Sequence, residues 1–166
     1  MAKKKKQGSS GTPALVLLEK TGTEHTLHPY EHNPNSELSY GLEAAQAIGA
    51  NPEQVFKTLL ADVDGKLVVG IVPVNKKLDL KALASAVGGK KAAMADHAVA
   101  ERATGYVVGG ISPLGQKTRH ATVLDASALE HGLVYVSGGR RGLDVGLSPS
   151  ALVELTGAKT EVIARD

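Results

Sequence analysis

Lys57 stands inside the apolar run Val55-Phe56-Lys57-Thr58-Leu59-Leu60, where the alternation of a strand puts it on the face of Val55 and Leu59. A cation in that position either snorkels at a sheet edge or is held in a cavity for use, and the pattern by itself leaves both open. A second chemistry-bearing segment is Ser137-Gly138-Gly139-Arg140-Arg141-Gly142-Leu143-Asp144. It joins two apolar runs through five residues that carry three glycines and two arginines. Such a loop can set guanidinium groups beside a phosphate, and it can equally be a plain surface turn.

The stretch from Gly109 to Thr118 comes close to a third kind of chemistry. Gly110-x4-Gly115-Gln116-Lys117-Thr118 nearly spells a nucleotide-binding P-loop. One residue too many precedes Lys117, however, and Ala121-Thr122-Val123-Leu124-Asp125 reads as strand where a P-loop has to open a helix. What remains is either a plain turn or a glycine-permitted loop whose bare backbone offers N–H groups to a carbonyl or phosphate. His25-x2-His28-x3-His32 has a superficial metal-site look. In a strand His25 and His28 point to opposite faces, and no cysteine or adjacent carboxylate pair completes a ligand set, so neither a metal nor another cofactor is expected. The chain has no Cys, which removes disulfides, thiolate metal sites and an enzyme-borne thiol nucleophile. No G-x-S-x-G or comparable setting activates a serine.

The elements that must carry these residues announce themselves through their caps. A polar residue precedes proline at Thr12-Pro13, Asn51-Pro52 and Ser148-Pro149, and each pair predicts a helix start, because proline loses only an N–H that has no intrahelical partner there. The first helix is expected to turn Leu15, Leu18 and Val16 inward and to end near Gly22. Further helices are predicted over Glu37 to Ile48, Asp79 to Val87, Asp96 to Thr104, Ser127 to His131 and Pro149 to Leu155. Strands are predicted over His25 to Tyr30, Val55 to Ala61, Lys66 to Val74, Tyr106 to Val108, Ala121 to Leu124, Leu133 to Ser137, Leu143 to Leu147 and Thr160 to Ala164. Asp64-Gly65 between two apolar runs is a hairpin signal. Many connections are too short for parallel crossovers, so the expected fold class is α/β: a mixed, mostly antiparallel sheet, curled and flanked by helices.

At 166 residues and 42% hydrophobic content the chain can bury the core of one domain. Residues 1–11 are Lys-rich and then Gly/Ser-rich, a composition that predicts a disordered tail ahead of a domain at 12–166. The net charge is +2, but without Lys3 to Lys6 the remaining 15 cations face 17 acids. The domain itself is therefore no polycation, and an RNA ligand is expected to be held at one small end rather than along its length; no DNA is expected. One Phe, four Tyr and no Trp leave little material for single-strand stacking platforms. No apolar run reaches the length of a membrane span and no signal-like stretch follows the basic start, so no membrane partner and a cytoplasmic location are expected.

The runs at 55–60, 105–117 and 134–144, together with Thr12-Pro13-Ala14, Tyr30-Glu31-His32, Asn51-Pro52 and Met94-Ala95-Asp96, resemble the YbaK/EbsC family of aminoacyl-tRNA deacylases over Thr12 to Asp166. That resemblance implies a compact fold on a barrel-like sheet and removal of cysteine wrongly attached to proline tRNA. It also implies that the substrate's own thiolate is the nucleophile, and that the protein works beside prolyl-tRNA synthetase. It places Lys57, Gly109, Gly110 and Asp144 in the catalytic set. Tyr30, Thr58, Ser112, Pro113, Ser137 and Arg141 fall on the substrate-binding side. Lys57 would be the pocket charge, the Gly109 and Gly110 N–H groups would polarise the carbonyl, Asp144 would grip the α-ammonium, and the aminoacyl-tRNA 3′ end would be the ligand. Two alternatives remain: a deacylase for Ala-tRNA(Pro) that uses water, and a tRNA- or synthetase-binding module without chemistry.

Overall fold

A computed structural model of the protein describes residues 11–166; the disordered tail expected over 1–11 lies, apart from Gly11, outside the described residues. In chain order the elements are α1 (Pro13–Thr21), β1 (Thr26–Pro29), α2 (Tyr40–Ile48), β2 (Phe56–Val63), β3 (Lys66–Pro73), β4 (Lys77–Leu78), α3 (Leu80–Ala86), β5 (Ala92–Met94), α4 (His97–Thr104), β6 (Ala121–Asp125), β7 (Val134–Arg140), β8 (Leu143–Leu147), α5 (Pro149–Thr156), β9 (Lys159–Glu161) and β10 (Ala164–Arg165). The polar caps work as the sequence implies: Thr12 Oγ1 accepts the Leu15 N–H, and Ser148 Oγ accepts that of Ala151. Asn51 also caps, accepting from Glu53 at 2.9 Å. It opens only one 3-10 turn, Pro52–Gln54, because Val55 is already extended toward β2.

The strands form a five-stranded sheet in the order β9-β6-β3-β2-β5, a three-stranded sheet β1-β8-β7 and a two-stranded pair β10-β4. Most pairings are antiparallel, the exceptions being β3 with β6 and β6 with β9. The sheets do not close into a ring. The expected barrel-like curl survives as the five- and three-stranded sheets leaning together, joined where Val55 bridges Tyr135. Asp64, at φ 52, and Gly65, at φ 90, make the left-handed turn between β2 and β3, the conformation a two-residue hairpin needs.

Alternation along β3 divides the core. Val69 and Ile71 pack with α1 and the three-stranded sheet, while Val68 and Val72 pack with Leu78, Leu83 and Ile163 on the other side. A strand covered on both faces reads as a continuous apolar run, which is why β3 is plain in the sequence. No helix among the described residues is long and apolar enough to cross a membrane.

Val16 is exposed rather than turned inward, leaving Ala14, Leu15 and Leu18 as the buried face of α1. Four further expectations need correction. Tyr106 to Val108 is not a strand: Tyr106 is buried and donates its hydroxyl to the Leu114 carbonyl at 2.6 Å, so the segment is part of a packed loop, with Val107 turned outward. Residues 126–130 form a 3-10 helix rather than an α-helix. The helix expected from Glu37 begins at Tyr40, because Ser39 takes the cap. The C-terminal strand is split into β9 and β10: buried Asp125 accepts the N–H groups of Ile163 and Ala164 through Oδ1 and draws the chain out of its ladder.

Candidate active site

Strand β2, the first turn of α2, the β5–α4 junction, the loop at 108–111 and the β7–β8 hairpin enclose a cavity of about 390 Å³. The cavity is lined by Tyr30, Lys57, Thr58, Gly109, Ser137 and Asp144 among the residues singled out by sequence. Phe56, Leu60, Val74 and Ile111 supply apolar wall. The volume suits a small-molecule-sized group, not a folded RNA.

Lys57 is partly buried and has neither an ion pair nor a hydrogen-bond partner among the described residues. Burial lowers its pKa from the usual lysine value, because desolvation disfavours the charged form. Asp144 is 5% exposed. Its carboxylate likewise has no partner among the described residues, and burial raises its pKa to about 7. Asp144 lies in register with Ser137 across the β7–β8 ladder and with His28 across β1–β8. The adjacency of Ser137 and Asp144 is therefore fixed by the hairpin. Ser137 Oγ accepts the Gly139 N–H at 3.1 Å. Tyr30 is anchored by its own N–H, which donates to Gly142 O at 2.8 Å, and burial, followed by the nearby Asp144 charge, raises its phenol pKa. Thr58 Oγ1 is buried and without a hydrogen-bond partner among the described residues. A buried orphan hydroxyl costs free energy unless something else completes it.

Other expected site residues sit off the cavity wall. Gly110 N–H is already committed to Val107 O at 2.9 Å, and a Cβ there would strike the Arg140 backbone. Ser112 is fully buried, with Oγ accepting from Leu114 N–H at 3.1 Å, and Pro113 is buried beside it. Both shape the loop and do not touch the cavity. Arg141 lies on the tight turn that closes the β7–β8 hairpin, shorter than the five-residue loop the sequence suggests. Its guanidinium lies 4.8 Å from the Tyr40 ring centroid and donates from Nε and Nη2 to Val108 O at 2.9 and 2.6 Å. The P-loop look-alike ends in packing as well: a Cβ on Gly115 would meet Pro13 O at 2.6 Å, so this glycine lets the loop rest on α1.

The histidines separate. His28 stacks edge-on against Tyr135, while His32 Nδ1 lies 2.8 Å from Glu43 Oε1. Burial works to raise the Glu43 pKa, but the Asn33 N–H and the His32 ring outweigh it and hold the carboxyl below its usual range. This pair ties the 31–39 segment to α2 beside the cavity. Sequence reading missed Tyr40, Met94 and His97, all on the cavity wall. The available signal was weak: each stands at the edge of an element, and Met94 belongs to a three-residue edge strand that no periodicity reveals.

The model for the family described as "Aminoacyl-tRNA editing domain" matches residues 39–155. A protein of Enterococcus faecalis named "Putative Cys-tRNA(Pro)/Cys-tRNA(Cys) deacylase EbsC" is 35% identical over 158 residues, 94% of this chain and 93% of its own length. YwhH of Bacillus subtilis is 29% identical over 118 residues, 70% of this chain and 74% of its own. A crystal structure described as "a putative trans-editing enzyme for prolyl tRNA synthetase" superposes with a TM-score of 0.80 at 27% identity, covering 93% of this chain and 96% of that one.

Proposed function

This chain belongs to the aminoacyl-tRNA editing domain family, and from that premise we propose that it clears mischarged Cys-tRNA(Pro) in trans by letting the substrate's cysteine thiolate cleave its own ester. The protein is an aminoacyl-tRNA deacylase; the proposal concerns which aminoacyl group it removes and how. One observation carries it. Among the described residues, the cavity presents a cation without a partner, Lys57, and a buried carboxylate without a partner, Asp144, yet no side chain arranged as a nucleophile with its base.

An α-amino ester supplies what each group lacks. Its α-ammonium can pair with Asp144, which ionises once that cation arrives, and its carbonyl can approach the Gly109 N–H. Thr58 Oγ1 can donate to the ester or ribose oxygens. A thiol of pKa about 8.5 is roughly 3% ionised at pH 7, and each unit by which a nearby ammonium lowers that pKa corresponds to about 1.4 kcal/mol. Lys57 is the cavity's cation for that task. The thiolate sulfur attacks the carbonyl carbon to give a tetrahedral oxyanion. Its collapse breaks the bond to the ribose oxygen, which takes up the proton given up by the thiol. A small thiolactone leaves, and water opens it later. Positioning and electrostatics are the enzyme's contribution, and together they can supply several kcal/mol.

The cavity accommodates the aminoacyl end and little else of a tRNA, so selection of tRNA(Pro) requires another protein, for which prolyl-tRNA synthetase is the proposed partner. A second reading has one observation in its favour. A carboxyl with a pKa of about 7 is matched to general-base work at neutral pH, and Asp144 could activate water against Ala-tRNA(Pro). Turnover of Cys-tRNA(Pro) against Ala-tRNA(Pro) tests the proposal: faster cleavage of the cysteinyl ester supports it, and preference for the alanyl ester replaces it with water attack.

A further inference from the structure

The geometry points to Arg141 as a positioning residue that aims and polarises the Gly109 N–H, the backbone donor for the ester carbonyl; this rests on the proposed deacylation. Two consecutive peptide units carry four hydrogen-bonding groups here. In the first, Val107 O accepts from Gly110 N–H at 2.9 Å and Val108 N–H donates to Glu101 Oε2 at 2.8 Å. In the second, Val108 O accepts both Nε and Nη2 of Arg141. Only the Gly109 N–H has no acceptor among the described residues, and Gly109 lines the cavity.

The second unit is planar and trans, so its carbonyl and its N–H point in opposite directions. A guanidinium that fixes where Val108 O points therefore fixes where Gly109 N–H points. Two charge-assisted bonds on that oxygen also draw electron density along the amide and make its N–H a stronger donor. The Tyr40 ring packs against the guanidinium, whose carbon lies over the ring at 4.8 Å from its centroid. Gly109 sits at φ +92, and a Cβ there would lie 2.8 Å from Arg141 Nε and 2.9 Å from the Tyr40 ring, so the clamp closes only over a glycine. Lysine cannot reproduce the grip, because a single ammonium lacks the planar fork. Arg141 thus reaches the reaction through a peptide rather than by touching substrate.

The test uses the full chain and its Arg141→Lys and Arg141→Gln variants. It measures single-turnover cleavage of Cys-tRNA(Pro) at saturating enzyme, the affinity for uncharged tRNA(Pro) at two salt concentrations, and the Gly109 amide proton shift by NMR. Both variants are expected to lose about 10- to 100-fold in the saturating rate, within the range for weakening one oxyanion donor. Affinity and its salt slope should stay at the wild-type level, melting temperature should be near wild type for Arg141→Lys, and the Gly109 amide proton should move upfield. A saturating rate that is kept while affinity falls and the salt slope shrinks by roughly one phosphate contact would make Arg141 a phosphate ligand and overturn the inference. An unmoved Gly109 amide shift would overturn it as well. Wild-type protein inert on Cys-tRNA(Pro) would remove the proposed function, and the amide shift alone would still decide whether Arg141 polarises this donor.

Discussion

Lys57 and Asp144 face one cavity from two different sheets and form no ion pair with each other among the described residues. Two opposite charges that a fold keeps apart, both partly or wholly desolvated, lower its stability. Their placement makes sense when the partners come with a zwitterion-like ligand, and each charge can be removed separately to see whether stability and activity move in opposite directions.

Lys57→Met should abolish most deacylation, on the order of 100-fold or more, because the cavity loses the only Lys or Arg that lines it among the described residues. Burial lowers the Lys57 pKa, so its charged form works against folding at neutral pH, and that opposition fades only as the pH rises through the folded-state pKa. The melting temperature of Lys57→Met at pH 7 should equal or exceed that of the wild type. Lys57→Arg should also be inactive, since a broad planar fork does not replace a compact ammonium. Differential scanning calorimetry beside a single-turnover assay checks both points.

Asp144→Asn gives a pH signature. With a folded-state pKa of about 7 against about 3.9 when unfolded, the folded chain retains a proton between those values that the unfolded chain has lost. The stabilisation from the protonated form is fully present below about pH 4 and is lost as the pH rises to about 7. Asparagine imitates the protonated form, so the variant should be more stable than wild type at pH 8, by an amount on the order of 2–4 kcal/mol, and equal to it near pH 4. Its deacylation should be impaired at every pH, because the α-ammonium has lost its partner. Thermal melts across that range measure the effect.

Gly109→Ala should lower the saturating rate by at least about 10-fold while costing about 1–3 kcal/mol of stability. An alanine at φ +92 is strained, and its methyl group would push against Arg141 Nε and Tyr40. Chemical denaturation and single-turnover kinetics report the two losses independently.

Glu43→Ala should destabilise the protein by about 1–3 kcal/mol, since the carboxylate accepts from Asn33 N–H at 2.7 Å and pairs with His32. The Glu43 pKa is held down, so wild-type stability from this pair is present above the ordinary glutamate pKa and is lost as the pH falls through the lower folded value. The difference between variant and wild type should shrink in acid, as read from melts below about pH 4.

Much of the site was legible because strand alternation and caps are local. Lys57 stood out as a cation in an apolar run, and β2 carries it on the cavity wall. The Ser137-to-Asp144 segment announced a hairpin, but not that a tight turn would carry Arg141 onto the 108–109 peptide, a contact between residues 33 positions apart. Gly109 to Pro113 could be read as a ligand loop, yet only folding shows that Gly110 and Ser112 spend their polar groups inside it. Tyr106 to Val108 looked like a strand because apolar pattern does not distinguish a half-exposed valine in a loop from one in a ladder. Tyr40 and His97 reach the cavity from the starts of α2 and α4, and no spacing in the chain encodes that meeting.

The central claim is that the substrate's thiol does the attacking, and it is tested most directly by the ratio of single-turnover rates for Cys-tRNA(Pro) and Ser-tRNA(Pro) as a function of pH. Ionisation of Asp144 affects both esters alike and cancels in the ratio, whereas thiol ionisation enters only the cysteinyl rate. The ratio should be large throughout, and the cysteinyl rate itself should rise about tenfold per pH unit below the bound thiol's pKa before levelling off. A ratio near one at every pH, with Ala-tRNA(Pro) cleaved as fast as either, would contradict substrate-thiol attack and assign the chemistry to water.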